Sequence, residues 1–302
     1  MMRLGDHCGH YLGKLAATDD RLWVVDGDLA DSEGAMHFSG SHPERFLMAG
    51  IAEQSMVSMA AGMAACGLRP WVFSFASFLA YRAYDQVRVC MSQARQPVTL
   101  VASHSGGLSN RNGKSHAALN DIALMAGLPH VRIWSPADPE DLFFAMRSIV
   151  TDGEPAYLRL PRRPLPPIEG QAGLLRIIHP PNDLTIISTG LATHLAIDAC
   201  EQLRQNGYAP GLIHCPRISP LPAEALRDLV RDAKQLVVIE DHITLGGLSS
   251  IVMALGLDRP VTAIGWPLGW TGQSGADESI LELHGLDGAT ICERIMQEPC
   301  YR

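Results

Sequence analysis

Residues 46–95 constrain the fold more than any other stretch: FLMAGIAEQSMVSMAAGMAACGLRPWVFSFASFLAYRAYDQVRVCMSQAR. An apolar run at 46–49 ends at Gly50, and Glu53 then stands at the mouth of an apolar segment. Met56, Met59, Ala60, Met63 and Ala64 follow at helical spacing, which predicts a buried helix opened by Glu53. Gly67 and Pro70 stop that helix, and residues 71–73 read as a short strand. Phe75, Phe78 and Tyr81 then recur every third residue. That spacing predicts one aromatic face at the start of a second helix, ending near Ala94.

Each feature has an ordinary reading. A Glu at a helix start sits in the favourable field of the macrodipole, worth under about 1 kcal/mol. An aromatic helix face packs into a core. Together the strings are more specific: Gly50-Ile51-Ala52-Glu53-Gln54, then SFASFLAY from Ser74 to Tyr81, then Ala83-Tyr84-Asp85-Gln86-Val87. They resemble the pyrimidine-binding domain of the transketolase family, whose members use thiamine diphosphate. The resemblance implies that Glu53 hydrogen-bonds N1′ of the cofactor's aminopyrimidine, and that Phe75, Phe78 and Tyr81 hold the pyrimidine by stacking. An acid suits the task because a proton shared with N1′ favours the imino tautomer, whose 4′ nitrogen can take the thiazolium proton. A low-dielectric pocket strengthens such a bond.

A chain of 302 residues suggests two domains of ordinary size. Its 47% apolar content is that of a globular protein with real cores. A net charge of −8 gives nucleic acid no basic footprint to bind. The seven cysteines are scattered with no C-x-x-C pair and no signal peptide precedes them, which points to reduced thiols and the cytoplasm. No apolar run is long enough for a membrane-spanning helix.

Along the chain, residues 7–18 read as a helix and 22–25 as a strand, followed by Asp26-Gly27-Asp28-Leu29-Ala30-Asp31-Ser32. Turn chemistry accounts for Asp26 and Asp28. A loop at a strand's carboxyl end is also where open α/β sheets bind ligands. The resemblance puts Ser32 at or near a position that touches substrate phosphate. A strand at 97–103 leads into His104, then a glycine-rich loop to His116. A helix at 119–125, a strand at 131–134, a helix at 139–150 and a strand at 156–160 follow. This alternation argues a mostly parallel sheet covered on both faces.

His104 and His116 have no third ligand at zinc-site spacing. The resemblance instead makes them substrate-channel residues that bond donor hydroxyls and the carbonyl oxygen and move protons. Between them the chain departs from the family. Asn112 stands where the family has an aspartate on a donor hydroxyl, flanked by Arg111 and Lys114. An amide still accepts a hydrogen bond but carries no charge, so the usual sugar-phosphate donor is not implied.

Residues 161–183 hold six prolines and read as a surface linker. At its start Arg162 matches a phosphate-binding arginine of the family, where a guanidinium fork suits phosphate. From 184 the pattern restarts, with strands at 184–188, 211–214, 236–240 and 261–264. Helices are expected at 193–205, 222–232, 247–256 and 288–297. This half resembles the transketolase C-terminal domain, in which Glu240 and His242 fall on structural positions. The expectation is an α/β protein of two doubly wound, mostly parallel α/β domains, 1–162 and 184–302, with a Pro-rich linker at 163–183.

Complete transketolases bind diphosphate and Mg²⁺ through a Gly-Asp-Gly string followed further on by Asn. Asp26-Gly27-Asp28 lacks that glycine arrangement, and Gly106-Gly107, the only candidate phosphate cradle, has no acid beside it. The resemblance therefore implies the second half of a split transketolase. Its partner subunit would carry the diphosphate-binding domain and the Mg²⁺ ligands, in an A2B2 heterotetramer. The implied reaction moves a two-carbon ketol unit from a ketose to an aldehyde. A 1-deoxyxylulose-5-phosphate synthase-like enzyme is an open alternative. A 2-oxoacid dehydrogenase beta chain is disfavoured by the loop from His104 to His116. A non-catalytic assembly subunit would have no need of Glu53 with three aromatics.

Overall fold

The computed structural model describes residues 1–108 and 110–297, without the side chains of Asn110 and Arg111. The first half contributes β1 (Leu22–Asp26), β2 (Phe46–Met48), β3 (Arg69–Phe75), β4 (Thr99–Ser103), β5 (Arg132–Trp134) and β6 (Ala156–Arg159). The second contributes β7 (Arg176–His179), β8 (Leu184–Ser188), β9 (Gly211–His214), β10 (Arg217–Ser219), β11 (Gln235–Ile243) and β12 (Val261–Trp266). A seven-stranded sheet runs β10-β5-β6-β4-β3-β1-β2, and a five-stranded sheet runs β12-β11-β8-β9-β7. Among the strand pairs of the described residues, β10–β5 and β7–β9 are antiparallel and the others parallel. The fold is α/β with two mostly parallel sheets, as the alternation predicts. Every residue of β4 (TLVAS) and β8 (LTIIS) is buried, the pattern of strands covered on both faces.

Three features differ from the sequence reading. First, β3 extends to Phe75, so Phe75 ends a strand instead of opening a helix. The segment after it is not regular α-helix: residues Phe78–Arg82 and Val87–Gln93 form π-helical turns. Spacing of three therefore does not align the aromatics on one face, because a wider turn rotates each successive side chain differently. Second, Met59 is 40% exposed, while helix Glu53–Ala65 buries Met56, Val57, Ala60, Ala61 and Ala64. Third, the stretch expected as a linker carries β7, which pairs with β9 along Arg176↔His214 and Ile177↔Ile213.

The two halves are locked together by contacts that cross between them. β10 comes from the second half yet closes an edge of the first sheet, pairing Arg217 with Trp134. Arg176 of β7, 1% exposed, donates to Asp138 at 3.1 Å and Asp141 at 3.0 Å, at the start of helix Pro139–Asp152. His214 Nε2 lies 3.0 Å from Asp141 Oδ2. A buried charge needs such partners to offset its desolvation, so this cluster fixes the docking of β7 and β9 on the first half. Among the described residues no helix is long and apolar enough to cross a membrane. Cys8, Cys66, Cys90, Cys200, Cys215 and Cys292 are free, and Cys300 lies outside the described residues.

Candidate active site

The carboxyl ends of β1, β3 and β4 lie side by side in the first sheet. Asp26 ends β1, Phe75 ends β3, and Ser103 ends β4 with His104 next. Glu53 arrives at the same edge because Gly50, at φ 71°, turns the chain from β2 into helix Glu53–Ala65. This φ is readily adopted only by glycine.

Glu53 is 1% exposed although it begins its helix. A first-turn carboxylate that only served the macrodipole would have no reason to leave water. Its Oε2 accepts a hydrogen bond from Arg82 Nη1 at 2.6 Å, and Ser74 Oγ lies 3.5 Å from Oε1. The Arg82 guanidinium lies over the Phe78 ring, 4.2 Å from its centroid. Glu53 and Phe78 thus bound a niche that takes a flat, nitrogen-bearing donor. Arg82 was not among the sequence candidates. Its signal was the spacing from Phe78, one helical turn on.

Four rings gather beside this niche. Phe75 stacks on Phe78 at 5.6 Å between centroids, and His104 lies 4.0 Å from Phe75. His116 meets Phe75 at 5.5 Å and Phe78 at 5.2 Å, edge-on to both. His104 is 5% exposed with φ 54°, a left-handed conformation uncommon outside glycine. Burial, then the charges of Arg162, Arg3 and His116, push its imidazole down to about 3, so it is neutral at pH 7. Burial and Arg82 lower His116 as well, and its Nδ1 lies 2.9 Å from Ser115 Oγ.

Tyr81 is placed differently. Its ring is 44% exposed, and its hydroxyl donates to Asn120 Oδ1 at 2.5 Å and accepts from Leu119 N at 3.1 Å. It ties the π-helical turn to the loop after His116. Ser32, His104 and Arg162, far apart in sequence, line one small cavity with Arg3, Glu33 and Ser103. Arg162 Nη1 is buried with no hydrogen-bond partner among the described residues, a donor available to a ligand oxygen. Ser32 itself is half-buried.

Asn112 and Lys114 are exposed on the turn Asn110–Ser115. Gly113, at φ 69°, anchors that turn, since a Cβ there would lie 2.8 Å from Ser274 Oγ of the second half. The Arg111 side chain lies outside the described set. Gly106 and Gly107 do not form an open cradle. A Cβ would fall 1.7 Å from Asp241 Oδ2 at Gly106 and 2.3 Å from Trp266 at Gly107, and Gly107 N donates to Asp241 Oδ1 at 2.9 Å. The pair lacks side chains so that the second domain can pack on this loop. Glu240 caps helix Leu248–Met253, accepting from Leu248 N at 2.6 Å and Ser249 N at 3.1 Å. Among the described residues no group of three His, Cys, Asp or Glu is placed to hold a metal ion.

Comparisons with known proteins bear on this site. The family model described as transketolase, pyrimidine binding domain matches residues 1–167, and that of the transketolase C-terminal domain matches 173–291. A putative transketolase C-terminal section of Methanocaldococcus jannaschii is 34% identical, covering 96% of this chain and 94% of the relative. A 6-deoxy-6-sulfo-D-fructose transketolase subunit of a Clostridium species is 32% identical, covering 82% of this chain and 78% of the relative. A solved structure, a split gene transketolase as an inactive beta4 tetramer, superposes with a TM-score of 0.89 at 27% identity, covering 98% of both chains.

Proposed function

From the premise that this chain belongs to the transketolase family, whose pyrimidine-binding and C-terminal domains it carries, we propose that it is the pyrimidine-side subunit of a two-chain, cytoplasmic thiamine diphosphate enzyme. The proposed reaction is transfer of a two-carbon ketol unit from a ketose to an aldehyde. The observation that carries this reading is Glu53, a buried carboxylate aimed into a niche walled by Phe78 and already holding a stacked guanidinium. Arg82 fits the outline of an aminopyrimidine: flat, rich in nitrogen, stacked on an aromatic ring and donating to Oε2.

When bound, thiamine diphosphate supplies an acidic thiazolium carbon able to carry the two-carbon unit. Glu53 shares a proton at N1′, which a buried carboxylate does more strongly than an exposed one. Phe75 and Phe78 stack on the pyrimidine. His104 and His116, held against Phe75, offer imidazole nitrogens to substrate oxygens. Ser32 and Arg162 hold the anionic end of the substrate, and Asn112 meets a donor hydroxyl.

The diphosphate end fits less well here, since Gly106–Gly107 is closed by Asp241 and Trp266. The proposal assigns the diphosphate and Mg²⁺ ligands to a partner subunit, in an A2B2 assembly. Calorimetry with thiamine diphosphate and Mg²⁺ tests this. No measurable binding to this chain alone, and binding once the partner is added, is expected. Tight binding by the isolated chain refutes the two-chain reading.

A further inference from the structure

Glu33 is 1% exposed and has no part in the proposed reaction, yet it is wired to His104. Ser103 Oγ lies 2.9 Å from Glu33 Oε1 and 3.2 Å from His104 Nδ1. The three groups come from helix Ala30–Glu33, the last residue of β4 and the residue after it. One hydroxyl bridges a carboxyl group and an imidazole, and it has only one proton to donate.

That leaves two self-consistent arrangements. With Glu33 as carboxylate, Ser103 donates to Oε1 and accepts from His104 Nδ1–H, so Nε2 is bare. With Glu33 as carboxylic acid, Glu33 donates to Ser103, Ser103 donates to Nδ1, and Nε2 carries the proton. Because His104 is neutral, tautomer is its remaining degree of freedom, and the second nitrogen is set by the bond the first one makes.

Resting on the reading of His104 as a substrate-facing residue, we propose that Glu33 is a positioning residue: through Ser103 its charge state selects the His104 tautomer, and protonated Glu33 presents Nε2–H as a donor to a substrate oxygen. The surroundings favour the protonated form. The carboxyl groups of Asp26 on β1 and of Glu53 on its helix both act to raise Glu33. The cations on the same cavity are Arg3, which bonds the carbonyl oxygens of Asp31 and Ser32, and Arg162. Burial, then the charge of Asp26, raises the Glu33 carboxyl well above the ordinary range. The acid form therefore prevails below that raised pKa, and the carboxylate only above it.

The test is two-bond ¹H–¹⁵N correlation spectroscopy of histidine-labelled chain, with His104 assigned through His104→Gln. Spectra are recorded from pH 6 to 10 on wild type, Ser103→Ala, Ser103→Thr and Glu33→Gln. Wild type and Ser103→Thr are expected to pass from Nε2–H to Nδ1–H as pH rises. Ser103→Ala, with no bridge, and Glu33→Gln, with nothing to titrate, are expected to show a tautomer independent of pH. A wild-type tautomer that does not change over this range overturns the proposal, as does a change that survives in either silent variant. In the assembled enzyme Ser103→Ala is expected to lose about 10–100-fold in kcat/KM, with Ser103→Thr restoring most of it. The spectra need no turnover, so they stand or fall separately from the proposed reaction.

Discussion

Arg82→Met is the perturbation whose cost the structure sets most directly. Glu53 is 1% exposed and the Arg82 side chain 44% exposed, and they pair at 2.6 Å. Removing one partner of a buried pair typically costs about 3–5 kcal/mol, because the other charge is left without compensation. Two features reduce that here. The helix N-terminus returns up to about 1 kcal/mol to Glu53, and the Ser74 hydroxyl stands at 3.5 Å. A loss of about 2–4 kcal/mol is therefore expected for Arg82→Met. Removing the charge from the other side should cost less. Glu53→Gln keeps an acceptor for Arg82, whose guanidinium already reaches water, so about 1 kcal/mol is expected. The double variant removes the stranded carboxylate and should regain about 1–3 kcal/mol over Arg82→Met, a coupling that a double-mutant cycle isolates. Urea unfolding followed by tryptophan fluorescence and circular dichroism measures all four proteins. Arg82→Met within about 0.5 kcal/mol of wild type, the range of an ordinary surface change, would refute the pairing of a buried Glu53 with Arg82.

Gly107→Ala should destabilise by about 1–3 kcal/mol through overpacking against Trp266. Gly62→Ala, in an exposed helix position with nothing within 4 Å, should stabilise by about 0.5–1 kcal/mol; thermal unfolding of the two variants side by side checks the contrast. Asn112→Asp, by restoring a charged acceptor, should shift donor preference toward ordinary ketose phosphates, and Lys114→Ala should raise KM for an anionic substrate with less effect on kcat. Identical donor panels for wild type and both variants, run with the partner present, would mean that the loop at 110–115 takes no part in substrate choice.

The parallel architecture was legible because it is written locally. Apolar runs such as TLVAS and LTIIS, spaced by helices, can satisfy their patterning only in a sheet covered on both faces. The positions of Glu53 and His104 were legible for the same reason, Glu53 following a short strand and a turn and His104 following β4 directly. What escaped the sequence depends on partners far along the chain. β10 reads as a proline-flanked connection until it meets β5, and β7 sits among the prolines of an expected linker until it meets β9. Arg176 looks like a solvated charge until Asp138 and Asp141 surround it. The π-helical turns defeated a spacing argument that assumes regular helix, and the bonds of the Tyr81 hydroxyl to Asn120 and Leu119 had no signal in that spacing. Glu33 carried no local signal at all, since only the fold brings it to Ser103.

In the proposed function Glu53 works on a pyrimidine and does not merely begin a helix. It is tested by the turnover of Glu53→Gln in the enzyme assembled with the proposed diphosphate-domain partner, alongside the assembly state by analytical ultracentrifugation. An amide keeps the size and a hydrogen-bond acceptor but cannot share a proton with N1′ in the same way. Loss of one such group costs on the order of 3–4 kcal/mol in the transition state, or about 10²–10³-fold in kcat. Unchanged assembly with kcat reduced by that factor is expected. Unchanged assembly with near-normal kcat would contradict it, and would return Glu53 to the role of a helix-start carboxylate.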